Sequence, residues 1–182
     1  TAYPPGKGDI TNMIRSYIHR CQKDGVKIVM NCEVTPELIK EEKPDSVIIA
    51  TGSKTLILPI EGIDNPAIIH GSDLLDGKRA AGKKVLVVGG GMVGCETAAF
   101  LGEQEHDVTV IEFRDTVGAD VIHEHRVYLM KDFEDYGIKE ITGAKVCKFY
   151  EDGVEYETAD GVRHESRGYD SVILSMGFRN YN

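Results

Sequence analysis

The stretch Val85-Leu86-Val87-Val88-Gly89-Gly90-Gly91-Met92-Val93-Gly94-Cys95-Glu96-Thr97-Ala98-Ala99-Phe100-Leu101 decides the fold. Four apolar β-formers run into three glycines. A fourth glycine follows three residues later, and small helix-compatible residues come after it. The order predicts a buried strand, a tight turn and the N-terminus of a helix. Gly89, Gly91 and Gly94 stand at G-x-G-x-x-G spacing. At that spacing the first glycine makes the turn, the second lets backbone approach a ligand phosphate, and the third lets the helix pack close to the strand. The helix start would offer unpaired N–H groups and the positive end of its dipole to an anion.

Such a fingerprint alone is weak, and its surroundings strengthen it. Asp107-Val108-Thr109-Val110-Ile111-Glu112 reads as the next strand, so residues 84–112 have the length of one strand–helix–strand unit. Glu112 ends that strand 18 residues after Gly94, near the spacing of about 20 expected for a ribose-binding carboxylate. It would accept from the 2′- and 3′-hydroxyls of an adenosine ribose and repel a 2′-phosphate. The expected ligand is therefore NADH rather than NADPH, although Arg114, two residues on, is the residue that could pair with a 2′-phosphate. The expected cofactor-binding set is Gly89, Gly90, Gly91 and Gly94 at the pyrophosphate, Met92 and Val93 through backbone N–H groups, and Glu112 with Phe113 and Arg114 at the ribose. Glu96, in the first turn, reads either as helix-end electrostatics or as a carboxylate facing the nicotinamide.

The rest of the chain supplies the frame. Ile10, Met13, Ile14, Tyr17, Ile18 and Cys21 recur at helical spacing and predict one buried face, with Gly25 as the stop. Val26–Met30 reads as a strand, Thr35–Lys40 as a short helix with Pro36 in its first turn, and Ser46–Ala50 as a strand buried on both faces. Residues 54–79 read as an irregular linker with a short helix at 72–75. A longer helix over 121–136, stopped by Gly137, precedes a strand at 138–142. Strands at 145–150, 154–158 and 162–167, separated by Asp152-Gly153 and Asp160-Gly161, make an antiparallel meander. Residues 170–175 return as a buried, parallel strand. Pro44–Gly52 and Tyr169–Gly177 echo one another, which predicts two equivalent strand ends with Thr51, Gly52 and Gly177 lining the crevice beyond them. The fold class is α/β: a Rossmann-like FAD/NAD(P)-binding fold, a parallel sheet with helices plus a three-stranded antiparallel meander.

Composition excludes several classes of function. Of 182 residues 41% are hydrophobic and 28% charged, as in a globular chain rather than a disordered one. A net charge of −9 without a basic patch argues against nucleic acid. No apolar run approaches a membrane span. Cys21, Cys32, Cys95 and Cys147 have neither CxxC nor zinc-ligand spacing and read as free thiols of a reducing cytoplasm, Cys95 as a small packing residue. His123-Glu124-His125 makes a poor metal site, because helix positions two apart face different sides. No catalytic triad can be drawn, so no catalytic or metal residue is expected.

Pro4-Pro5-Gly6-Lys7, Ala50-Thr51-Gly52-Ser53, the fingerprint at 89–94 with Cys95-Glu96-Thr97-Ala98, and Met176-Gly177-Phe178-Arg179 follow in an order that resembles the C-terminal half of NADH:flavin oxidoreductases of the 2,4-dienoyl-CoA reductase and trimethylamine dehydrogenase type. The resemblance covers essentially the whole chain. It implies that residues 1–76, with 176–182 as a return segment, are part of a FAD-type domain, and that 80–175 are an inserted NAD(P)H-binding domain. It also implies an N-terminal barrel with FMN and a 4Fe–4S cluster outside this sequence, as its partner in the same polypeptide. The family's closing G-x-R-P-N lacks its proline here, since Gly177-Phe178-Arg179 runs into Asn180. The implied activity is hydride transfer from NADH to flavin for reduction of an enoyl-type substrate. The alternative is a dinucleotide-binding module inactive by itself, with a second copy of the chain as a candidate partner at its sheet edges.

Overall fold

The computed structural model describes residues 7–180; the Pro4-Pro5-Gly6 opening and the last two residues of the return segment lie outside them. Its centre is a five-stranded parallel sheet in the order β2 (Ile69–His70), β9 (Ser171–Leu174), β3 (Lys84–Val88), β4 (Asp107–Ile111), β5 (Lys139–Ile141). The register pairs Val85 with Val108 on one side and with Ser171 on the other. Parallel pairing of β9 is as expected from its continuous apolar run.

That run is continuous because both faces of the sheet are covered. Val85 and Val87 point to a helical layer of α3 (Gly71–Leu75), α4 (Met92–Glu103) and α5 (His123–Asp135), where Cys95, Ala98, Leu101, Leu129 and Phe133 are buried. Leu86 and Val88 point the other way, onto β6 (Ala144–Tyr150) and β7 (Gly153–Thr158) of a meander whose third strand is β8 (Arg163–Arg167). There Phe149, Val154 and Tyr169 close a second core. The meander is antiparallel as expected, with a bulge between Val146 and Lys148. Helix α4 is buried almost all round, from Gly94 to Gly102, which is why it is built from small residues rather than from an amphipathic pattern.

Before residue 68 three expectations fail. Helix α1 (Ile10–Lys23) forms, but its apolar stripe is exposed: Met13, Ile14, Tyr17 and Ile18 are each 45–58% accessible. Val26–Met30 and Ser46–Ala50 form no strands, and Ile48 is 91% exposed rather than buried on both faces. None of the residues 7–67 is buried. A strand exists only beside a neighbour that shares its ladder, and no described residues pair with these two segments. Helix α2 (Pro36–Glu42) is local and forms as expected, with the Leu38 N–H donating to the Thr35 hydroxyl. The stretch 54–79 is more ordered than a linker. It contributes β2 to the sheet edge and α3 to the helical layer, while β1 (Ser53–Thr55) pairs antiparallel with β10 (Phe178–Asn180).

Candidate functional site

The strand order changes direction at β3. From β3 the chain steps outward to β4 and β5, while β9 lies on its other side. In open parallel sheets the crevice beyond the strand ends at such a point is where ligands bind. Here the ends are locked: the Ser175 N–H donates to the Val88 carbonyl at 2.8 Å, the Gly89 N–H to Ile111 at 2.9 Å, and the Glu112 N–H to Ile141 at 2.8 Å. Outside them opens a cleft of ≈ 460 Å³ whose lining includes Gly89, Gly91, Met92, Val93, Glu112 and Arg114.

The glycines are forced by neighbours. Gly89 has φ +104°, and a Cβ there would run into the Ser175 carbonyl. A Cβ on Gly94 would collide with the Gly89 carbonyl oxygen. Gly90, the glycine outside the fingerprint, is equally confined: its Cβ would lie 2.9 Å from Val117 Cγ1 and 3.0 Å from Glu112 Cβ. That closeness lets the Gly90 N–H donate to Glu112 Oε2 at 2.6 Å, while the Arg114 N–H donates to Oε1 at 2.9 Å. The Glu112 carboxylate is thus held by two backbone donors at the mouth of the cleft. Each oxygen keeps a lone pair for a further donor, which suits a vicinal diol.

Of the expected site residues, Gly89, Gly91, Met92, Val93, Glu112, Phe113, Arg114 and Gly177 line one cleft. Gly90 and Gly94 lie behind it as its support. Thr51 and Gly52 do not line it. The chain instead comes near four residues later, where Thr55 joins Gly71, Ser72 and Ser175 around a small pocket that shares Val93, Ser175, Gly177 and Phe178 with the cleft. The reason is the β1–β10 ribbon, which carries the chain away from Gly52 before it meets Gly177, whose carbonyl accepts from the Leu56 N–H at 2.9 Å. Sequence reasoning missed Asp120, Ser175, Met176 and Phe178, which also line the cleft. The last three flank Gly177 and were within reach of the strand-end echo. Asp120 comes from the loop after β4, and no spacing announces it. The Ser175 hydroxyl is buried without a hydrogen-bond partner among the described residues.

Glu96 does not line the cleft. It is 5% exposed and sits between side chains of two other segments, paired with Lys7 Nζ and lying 3.1 Å from His125 Nε2. His125, expected on a solvated helix face, therefore has a structural partner. Cys95 is fully buried, with its thiol donating to the Gly90 carbonyl at 3.2 Å. Burial pushes this thiol up to about 12. Cys95 should accordingly stay unmodified by iodoacetamide at about pH 8 in the folded protein, while exposed Cys32 reacts; peptide mass mapping after a timed pulse checks this.

Residues 9–182 match the family described as Pyridine nucleotide-disulphide oxidoreductase. The chain belongs to that family, and it carries the family's α/β fold with a separate three-stranded antiparallel sheet. Membership implies binding of pyridine-nucleotide and flavin dinucleotides. Among its relatives are the bilirubin reductase of Mediterraneibacter gnavus, 32% identical over 97% of this chain and 27% of that one, and the NADH oxidase of Thermoanaerobacter brockii, 32% identical over 95% of this chain and 27% of that one. A solved 2-naphthoyl-CoA reductase in complex with 2-naphthoyl-CoA superposes with a TM-score of 0.81, at 33% identity over 97% of this chain and 27% of that one. The chain thus spans about a quarter of the length of these relatives. Among the described residues no helix is long and apolar enough to cross a membrane.

Proposed function

We propose that the chain is the NAD(P)H-binding portion of a flavin-dependent oxidoreductase, of the 2,4-dienoyl-CoA reductase and trimethylamine dehydrogenase type. The observation that carries the reading is the glycine cradle at the end of β3 with the Glu112 carboxylate fixed beside it. Gly89, Gly91, Met92 and Val93 would hold the pyrophosphate against the α4 N-terminus, and Glu112 would hold the adenosine ribose, favouring NADH over NADPH. The chemistry supplied by the bound cofactors is hydride donation from nicotinamide to flavin. The chain's part in it is to position the nucleotide at the strand ends, with Ser175, Met176 and Gly177 forming the wall opposite the glycine turn.

Residues 1–76 with 176–182 are read as belonging to a FAD-type unit, and 80–175 to the NAD(P)H unit, with β2 and α3 packed against the latter. The exposed apolar residues of α1 and of 26–30 and 46–50 support a further segment of the parent polypeptide beside them. The FMN and 4Fe–4S cluster of that family would lie in its barrel. The relatives' names include bilirubin, cinnamate and 2-naphthoyl-CoA, all conjugated compounds, which supports an activated alkene of the enoyl kind as substrate. A second reading is favoured by the cleft itself: no acid–base or redox pair lines it, so the chain alone would be a nucleotide-binding module without turnover.

Titration with NADH, followed by nicotinamide fluorescence, is expected to saturate, with NADPH binding more weakly. Absence of binding by either nucleotide up to millimolar concentration would sink the reading.

A further inference from the structure

We propose that Asp120 is a built-in competitor of the dinucleotide: its carboxylate occupies the α4 N-terminus where the pyrophosphate would lie, and swings out when the nucleotide binds. This rests on the nucleotide-binding reading above and adds a residue that tunes affinity and ligand choice at that site.

The helix start has no side-chain cap of its own, because its N-cap residue is Gly91. Its Met92 N–H instead donates to Asp120 Oδ1 at 3.1 Å, a residue 28 positions further along the chain. The same carboxylate lies across Gly91: a Cβ built there would be 3.1 Å from Asp120 Oδ2. Gly91 is the glycine whose bare backbone lets a phosphate approach. One space is therefore claimed by two anions, the protein's own and the ligand's. They cannot share the Met92 donor, and their charges repel.

The two carboxylates of the cleft are held differently. Glu112 has a backbone donor on each oxygen and stays. Asp120 is exposed, and the Met92 N–H is the only donor to its carboxylate among the described residues. The loop just before it is pinned, since the Gly118 N–H donates to the Gly90 carbonyl at 2.7 Å and Arg126 donates to the Val117 carbonyl at 3.1 Å. Asp120 can thus leave by rotating its own side chain while the loop remains in place. In the nucleotide-free protein it caps the helix and keeps small anions out. A ligand that brings both a pyrophosphate and ribose hydroxyls for Glu112 displaces it; a lone phosphate has less with which to compete.

The test compares wild type with Asp120→Asn and Asp120→Ser, both of which keep an oxygen able to cap. Equilibrium titrations use NADH, inorganic pyrophosphate and adenosine, with circular dichroism melts to verify folding. Asp120→Asn is expected to tighten NADH and pyrophosphate by about threefold to tenfold and to leave adenosine unchanged. Asp120→Ser serves as the neutral variant if the Asn form is poorly folded. An unchanged or weaker NADH affinity in the folded variants, with wild type binding NADH, overturns the competitor role alone. If neither wild type nor the variants bind NADH, the nucleotide-binding reading fails and this one with it. Tighter NADH and pyrophosphate binding in the folded variants, with adenosine unchanged, supports both.

Discussion

Gly94→Ala is expected to destabilise the protein by about 3 kcal/mol or more and to abolish NADH binding. The added methyl would collide with the Gly89 carbonyl oxygen, and Gly89 cannot retreat because its own Cα faces the Ser175 carbonyl. All the groups in contact are backbone at the ends of β3 and β9, whose neighbours Val88 and Leu174 are 2% and 1% exposed. A flexible side chain could rotate away; a buried sheet end can yield only by lifting α4 off the sheet. The melting temperature should fall by about 6–12 °C for a chain of this size. Gly137→Ala is the control: its φ is +64°, but nothing lies within 4 Å of the added carbon, so only the left-handed strain of about 1–2 kcal/mol applies. Equal melting temperatures for the two variants would refute the close-packing argument.

Glu112→Ala should weaken NADH about tenfold to a hundredfold and NADPH distinctly less. The carboxylate is already ordered by the Gly90 and Arg114 amides, so its remaining lone pairs meet a ribose diol without further loss of side-chain freedom. Charge-assisted hydrogen bonds are worth about 1.5–3 kcal/mol, and about 1.4 kcal/mol is a factor of ten in affinity. For NADPH the same substitution also removes a repulsion with the 2′-phosphate, which offsets part of the loss. Parallel titrations with both nucleotides decide it, and an equal loss for both would leave the specificity assigned to Glu112 without support.

Much of this site is legible in the amino-acid sequence. Gly89, Gly91 and Gly94 with Glu112 are tied to a strand–turn–helix–strand unit, and each of its parts is local in sequence. The identity of the helix start, the length of the turn and the end of the next strand are all set within 28 residues, from 84 to 111. Thr35 and Pro36 likewise announce a helix that needs nothing else. Asp120 and the fate of Thr51 and Gly52 are not legible in this way. Each depends on where a loop or ribbon returns in space. Glu96 shows the same limit: its place between Lys7 and His125 joins three segments far apart in the chain.

Residues 26–30 and 46–50 mark the boundary most clearly. Their apolar, β-branched composition is a property of the chain. Burial and strand pairing are properties of neighbours. Val85–Val88 has β4 and β9 at its edges, helices on one face and the meander on the other, so the same kind of sequence becomes a core strand. Ser46–Ala50 has no such partners among the described residues and stays exposed. The sequence by itself determined the glycine turn, its helix and the acidic strand end, because turn geometry and dipole act over a few residues. The tertiary structure alone decided which apolar runs are strands, and it brought Asp120 onto the turn, because ladder hydrogen bonds and cleft walls come from segments distant in sequence.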